Sequence, residues 1–207
     1  MNFIDIVVPG GNEEEFVRMA EKLGVKGLVF LYDSEPANLN ELRKKTRLKL
    51  FSGIIVKDMN RCGSLRKRFD ILLSYPEKQG FESRMIDIVF DQEFDDKKDF
   101  MHSRNSGLNQ VLAKLSKEKD KIIALDFGLL LSSKEQQRIM LGRFMQNIML
   151  QKKYKFRMII ASFAENPFQM RAPKDLASLL TVLGADAGAA KKAMDELHFR
   201  LEKGLKA

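Results

Sequence analysis

The chain has 207 residues, 44% hydrophobic and 31% charged, enough apolar material for one well-buried core and not for two, so a single domain over 1–207 is expected. Its longest apolar runs, such as Leu28 to Tyr32 and Leu129 to Leu131, fall far below the roughly 18 residues of a membrane-spanning helix. The opening Met1-Asn2-Phe3-Ile4-Asp5 lacks the cationic head of an export signal, so a cytoplasmic protein is expected, and a lone Cys62 excludes an internal disulfide and any all-cysteine metal site.

Seven short apolar runs bounded by turn residues read as strands: Phe3 to Val8, Leu28 to Tyr32, Leu50 to Val56, Ile71 to Ser74, Met85 to Phe90, Ile122 to Phe127 and Met158 to Phe163. Most are continuously apolar rather than alternating, the pattern of strands covered on both faces in a parallel sheet. Helical periods lie between them. Asn12 stands where a helix with Phe16, Met19, Ala20 and Leu23 on one face should start, and Gly24 where it should stop. Leu108, Val111, Leu112 and Leu115 form a second stripe; Ser133 with Gln136 resembles a capping box ahead of Leu141, Phe144, Met145 and Ile148. Pro173 to Leu183 and Asp186 to Leu205 read as a closing helical hairpin around Gly184. Strand and helix in unbroken alternation predict an α/β fold, here a small or distorted TIM-like barrel of about seven parallel strands.

The formal net charge of +8 is concentrated in one place. Residues 39–68 hold ten basic side chains against Glu41 and Asp58, which alone accounts for the surplus. Such a window suits a polyanion-binding face and is equally compatible with two solvated helix faces. Enzymatic signals are sparse. The two histidines, His102 and His198, are far apart, and neither a nucleophile motif nor a glycine-rich phosphate loop is present. An acidic run of Asp87, Asp91, Glu93, Asp95, Asp96 and Asp99 offers carboxylates to a hard cation, although a solvated loop is the simpler reading. No catalytic or metal-ligating residue is therefore assigned; a metal-dependent barrel phosphoesterase using that carboxylate run is the alternative.

The segment His102-Ser103-Arg104-Asn105-Ser106-Gly107-Leu108-Asn109 leads small polar residues into a helix. Free N–H groups at a helix start, with the planar fork of Arg104 and the ring of His102, suit a phosphate; an ordinary N-cap at Asn105 or Ser106 suits the sequence as well. Arg171, just before Pro173, marks a similar position after the last strand.

His102 to Leu112, then Ser162-Phe163-Ala164, Pro167, Met170-Arg171-Ala172-Pro173-Lys174-Asp175-Leu176, Leu179-Leu180 and Leu183-Gly184, closely resemble, in order, the signature of the archaeal ribonuclease P protein component 3 family, counterpart of a thirty-kilodalton eukaryotic subunit. The match is specific from Met85 to Gly184 and looser upstream, and the absence of a tail fits the archaeal form. The resemblance implies a barrel shaped like the polymerase and histidinol phosphatase fold without its metal centre. It further implies a non-catalytic, RNA-binding subunit of the endoribonuclease that removes the 5′ leader from precursor tRNA, with the catalytic RNA performing the cut and holding the Mg²⁺. Its partners would be the ribonuclease P RNA, precursor tRNA and at least one other protein subunit, with no cofactor on the protein itself. RNA contacts are expected in the basic window from Arg43, Lys44, Arg61, Arg66, Lys67 and Arg68. Around the signature they are expected from His102, Ser103, Arg104, Asn105, Asn109 and Lys114, and after the last strand from Arg171 and Lys174.

Overall fold

The computed structural model describes residues 1–36, 38–94, 98–99 and 104–204. All seven expected strands form, in one parallel sheet whose spatial order follows chain order: β1 Ile4–Val7, β2 Gly27–Tyr32, β3 Lys49–Ile55, β4 Ile71–Ser74, β5 Ile88–Val89, β6 Ile122–Asp126 and β7 Arg157–Ala161. Helices α1 Glu13–Leu23, α2 Asn40–Lys45, α3 Cys62–Arg66 and α4 Lys78–Glu82 fill the first connections. They are followed by α5 Gln110–Glu118, α6 Phe127–Ser132, α7 Gln137–Tyr154, α8 Pro173–Val182 and α9 Ala187–Gly204.

The continuous apolar strands are explained by two separate cores. Alternate residues such as Ile4, Ile6, Val29, Leu31, Ile71, Leu73 and Ala124 fill the inside of the curled sheet, and Leu197 and Leu201 of α9 complete that cluster. Their neighbours, among them Val7, Leu28, Phe30, Leu72 and Ile123, pack outward on the helices. Each strand thus buries both faces, which removes the period-two alternation of a one-sided sheet.

The sheet curls into a nearly closed barrel, and a carboxylate bridges the seam. Asp5, in the middle of β1, is fully buried; its Oδ1 accepts the N–H of Ser162 just after β7 at 2.7 Å and its own neighbour Ile6 N–H at 2.9 Å. Ser162 Oγ donates to the Ile6 carbonyl at 3.3 Å, and the Val8 N–H reaches the Ala164 carbonyl at 2.9 Å. The Ser162-Phe163-Ala164 motif therefore closes the barrel, and burial pushes the Asp5 carboxyl up to about 6.

Local signals are met unevenly. Gly24 ends α1 in the left-handed region at φ 74°, where glycine carries no Cβ penalty. Asn12 precedes α1, but its Oδ1 accepts the Gly10 N–H and caps no backbone N–H of the first turn; its Nδ2 donates to the Glu15 carboxylate instead. The Ser133–Gln136 capping box does not form: Ser133 Oγ donates back to the Leu129 carbonyl, because a helix already begins at Phe127, and residues Lys134–Gln136 make a 3₁₀ turn into α7. The closing hairpin consists of α8 and α9 as expected, although Leu205 lies outside the described residues.

Candidate nucleic-acid interface

The basic window 39–68 spans α2, β3 and α3, and α2 and α3 are successive crossover helices on neighbouring strands. Its charges therefore run along one flank of the barrel and over both of its rims, instead of meeting in one pocket. Several expected contacts are already engaged. Arg43 donates to the Leu50 carbonyl through Nε at 3.3 Å and Nη2 at 2.8 Å, Arg66 pairs with Asp87, and Arg68 pairs with Glu35. The side chains of Lys44, Arg61 and Lys67, together with those of Arg47 and Lys57, make no hydrogen bond or ion pair among the described residues and are free to meet phosphates.

The signature segment is tied inward. Helix α5 starts at Gln110, and the side chain of Asn109 accepts both the Val111 and Leu112 N–H groups, so the free donors expected for an anion are taken by the cap. That places the N-cap at Asn109, after Asn105 and Ser106, because only Asn109 combines an extended backbone with an oxygen over the first turn. Ser106 Oγ lies 2.8 Å from Asn147 Oδ1, and Gln146 both accepts the Arg104 N–H and donates to the Arg104 carbonyl, each at 2.8 Å. The Arg104 guanidinium pairs with Asp99 at 3.1 Å and rests over Gly142, where a Cβ would collide with it. Gly107, at φ 69°, sits with its Cα against the Gln92 carbonyl, leaving no room for a Cβ. His102 and Ser103 lie outside the described residues.

The carboxylates of the acidic run that are described, Asp87, Asp91, Glu93 and Asp99, turn inward, each toward a different partner, which argues against one cation site shared among these four. Asp87 takes Arg66 and the Leu72 N–H; Glu93 is fully buried against Asn147 Nδ2 at 2.5 Å; Asp99 accepts from Arg143, Arg104 and the Asn105 N–H. Burial works to raise the Asp99 carboxyl, yet these three donors outweigh it and hold the group below its ordinary value. Asp95 and Asp96 lie outside the described residues. Since Arg104 is 49% exposed and Asp99 keeps two other donors, Arg104→Ala should cost about 1 kcal/mol or less, read as a melting-temperature drop of about 2–4 °C. A drop beyond about 8 °C would show that Arg104 pins the segment.

At the barrel's C-terminal mouth, where barrel enzymes place their chemistry, Asp126 ends β6 and caps α6 by accepting the Leu129 N–H at 2.8 Å. It meets Asp91, held at φ 59°. Burial, then the Asp91 charge, pushes the Asp126 carboxyl well above its ordinary value, and burial raises Asp91 as well. Among the described residues no group of three or more His, Cys, Asp or Glu side chains is placed to hold a metal ion. Across the mouth, Arg171 lies over Phe127 at 5.6 Å and donates to the carbonyls of Phe168 and Met170, while Lys174 extends from the first turn of α8.

Asp5, Asp126, Arg143 and Asn147 shape this half of the molecule and escape sequence reasoning. Each is a polar residue within an apolar stripe; that interruption is the one signal they leave, and it does not name the partner.

Comparison with known proteins agrees with this geometry. Residues 2–201 match the family described as RNase P subunit p30. The chain is 27% identical over 210 residues to the ribonuclease P protein component 3 of Methanosarcina barkeri, covering 94% of this chain and 84% of that one. It is 28% identical over 201 residues to that of Methanococcus maripaludis strain C6, covering 88% and 83%. Its fold is similar to a chain in a cryo-EM structure of archaeal ribonuclease P with mature tRNA, with a TM-score of 0.80 at 23% identity over 96% of this chain and 90% of that one. It is also similar to a histidinol phosphate phosphatase from Lactococcus lactis solved with zinc, L-histidinol and phosphate, with a TM-score of 0.62 at 10% identity over 89% and 95%.

Proposed function

The chain belongs to the RNase P subunit p30 family and is a ribonuclease P protein subunit, and from that premise we propose that it binds and orders the catalytic RNA in the cytoplasm without performing the cut itself. The observation that carries this reading is the flank of uncommitted cations, Lys44, Arg47, Lys57, Arg61 and Lys67, on two adjacent connections of a chain otherwise balanced in charge. Lysine and arginine at phosphates neutralise charge that divalent ions would otherwise screen, so the protein lowers the RNA's need for Mg²⁺ while the RNA holds the Mg²⁺ of the reaction. Arg171 and Lys174 add a second contact at the mouth, with Lys114 on the outer side of α5. Arg104, committed to Asp99, is the weakest of the candidates. The partners are the ribonuclease P RNA, precursor tRNA in the complex and another protein subunit; the similar chain solved within archaeal ribonuclease P with mature tRNA supports this.

Titration of the purified protein against ribonuclease P RNA at several salt concentrations tests the reading. Affinity should fall steeply with salt, and the combined variant Lys44→Glu, Arg61→Glu, Lys67→Glu should weaken binding across sequences. It should also reduce the logarithmic salt slope by about one for each phosphate that the protein no longer neutralises. Binding indifferent to salt would overturn the reading. The protein free of RNA should leave precursor tRNA uncut in Mg²⁺, Mn²⁺ or Zn²⁺.

A further inference from the structure

Among residues 104–109 the polar side chains of Arg104, Ser106 and Asn109 are tied to the protein itself, and the surface that this stretch lines is mainly apolar. Between residues 104–109 and α7 runs a groove of about 510 Å³ whose lining includes Leu108, Met149 and Leu150. Met149 is 69% exposed, Met145 one turn earlier is 47% exposed, and Val111 on the adjoining α5 is 66% exposed. Methionine and aliphatic side chains gathered on a rigid wall are the ordinary makings of a protein contact. The wall is rigid because Gly107 is locked against Gln92 and the Ser106, Gln146 and Asn147 side chains satisfy one another.

We propose that this groove seats an apolar, acid-bearing segment of a second protein subunit, an inference that rests on the reading of the chain as one subunit of ribonuclease P. Charge selects the occupant. Lys153 stands on the rim beside the half-exposed Arg104, whose guanidinium Asp99 already meets at 3.1 Å, and among the described residues lining the groove none is acidic. A second copy of this chain, itself at +8, would bring the same cations face to face across a two-fold contact. RNA is the poorer fit, because the segment's side-chain acceptors and donors are spent internally and α5 is capped by its own Asn109. A partner carrying Leu, Ile or Phe between Asp or Glu residues meets both the floor and the rim.

The test uses purified components: the chain, the other protein subunits and the ribonuclease P RNA. Met149→Glu, at an exposed position that leaves the fold intact, should weaken association with the protein subunits at least tenfold by size-exclusion or calorimetric titration. The isolated chain's affinity for the RNA should stay within about twofold. Lys153→Glu should act in the same direction, and Lys153→Arg should bind as wild type. A photocrosslinker at position 149 in the assembled complex should label protein. Crosslinks to RNA, loss of RNA affinity in Met149→Glu with protein association unchanged, self-association of the chain abolished by that variant, or no change in either association would each overturn the proposal. If the wild-type chain bound no RNA while Met149→Glu still lost the protein subunits, the RNA-binding reading would fail and the groove would stand.

Discussion

At pH 8 the variant Glu93→Gln should melt about 10 °C above the wild-type protein, and at pH 5 the two should melt within a few degrees of each other. Glu93 is fully buried, one of its oxygens meets Asn147 and the other has no hydrogen-bond partner among the described residues. Burial pushes the carboxyl up to about 8, the Asp91 charge adds to this, and Arg143 opposes it. A folded-state value above the unfolded one means that the native protein binds this proton more tightly. Its contribution is complete below the unfolded value of about 4.5 and is lost as pH rises toward 8. At pH 8 that loss is on the order of 4 kcal/mol, which glutamine, isosteric and neutral, avoids while keeping an oxygen for Asn147. Comparing variant with wild type at each pH cancels the other titrating groups, Lys121 and Asp5 among them. Equal melting at both pH values would show that Glu93 is ionised in the fold and held by a charge or ligand at its free oxygen.

The architecture was legible because it depends on pattern. Seven apolar runs at strand length, separated by helical periods, leave few arrangements besides a parallel curled sheet, and both cores draw on the runs themselves. Boundaries shifted where side chains compete for the backbone: Asp126 captures the Leu129 N–H and starts α6 directly from β6, which abolishes the cap expected at Ser133. The site was harder to read because charge is visible in sequence and pairing is not. Arg43, Arg66 and Arg68 look no different from Lys44, Arg61 and Lys67 until Leu50, Asp87 and Glu35 arrive from elsewhere in the chain. The acidic run misled for a related reason. Six carboxylates within thirteen residues suggest solvent, yet Glu93 is buried by Asn147 and Asp99 is neutralised by Arg143, both on a helix more than forty residues downstream.

Arg143→Met should lower stability by about 3–5 kcal/mol and the melting temperature by about 10 °C, and should release the whole signature segment. Arg143 is the buried cation of this region, its side chain 3% exposed, with Nε on Asp99 at 3.0 Å and Nη1 on the Glu93 carbonyl at 2.6 Å. It therefore anchors Glu93 and Asp99 of the acidic run to α7, and Asp99 in turn holds the Asn105 N–H and Arg104. Methionine matches the length of the stem and fills most of the space, so the loss comes from the Glu93 carbonyl left without its side-chain donor and from Asp99 left with only Arg104 and the Asn105 N–H. The double variant Arg143→Met, Asp99→Asn also removes the carboxylate that has lost its buried arginine and should recover part of the stability, which a double-mutant cycle reads directly. Because the groove wall depends on this anchor, Arg143→Met should also weaken the protein contact assigned to Met149 while the cations in and around α2 and α3, on another part of the barrel, keep their salt-dependent hold on RNA. A cost below about 1 kcal/mol, or a loss of RNA affinity equal to the loss of protein association, would show that the signature segment is held by something other than this buried arginine.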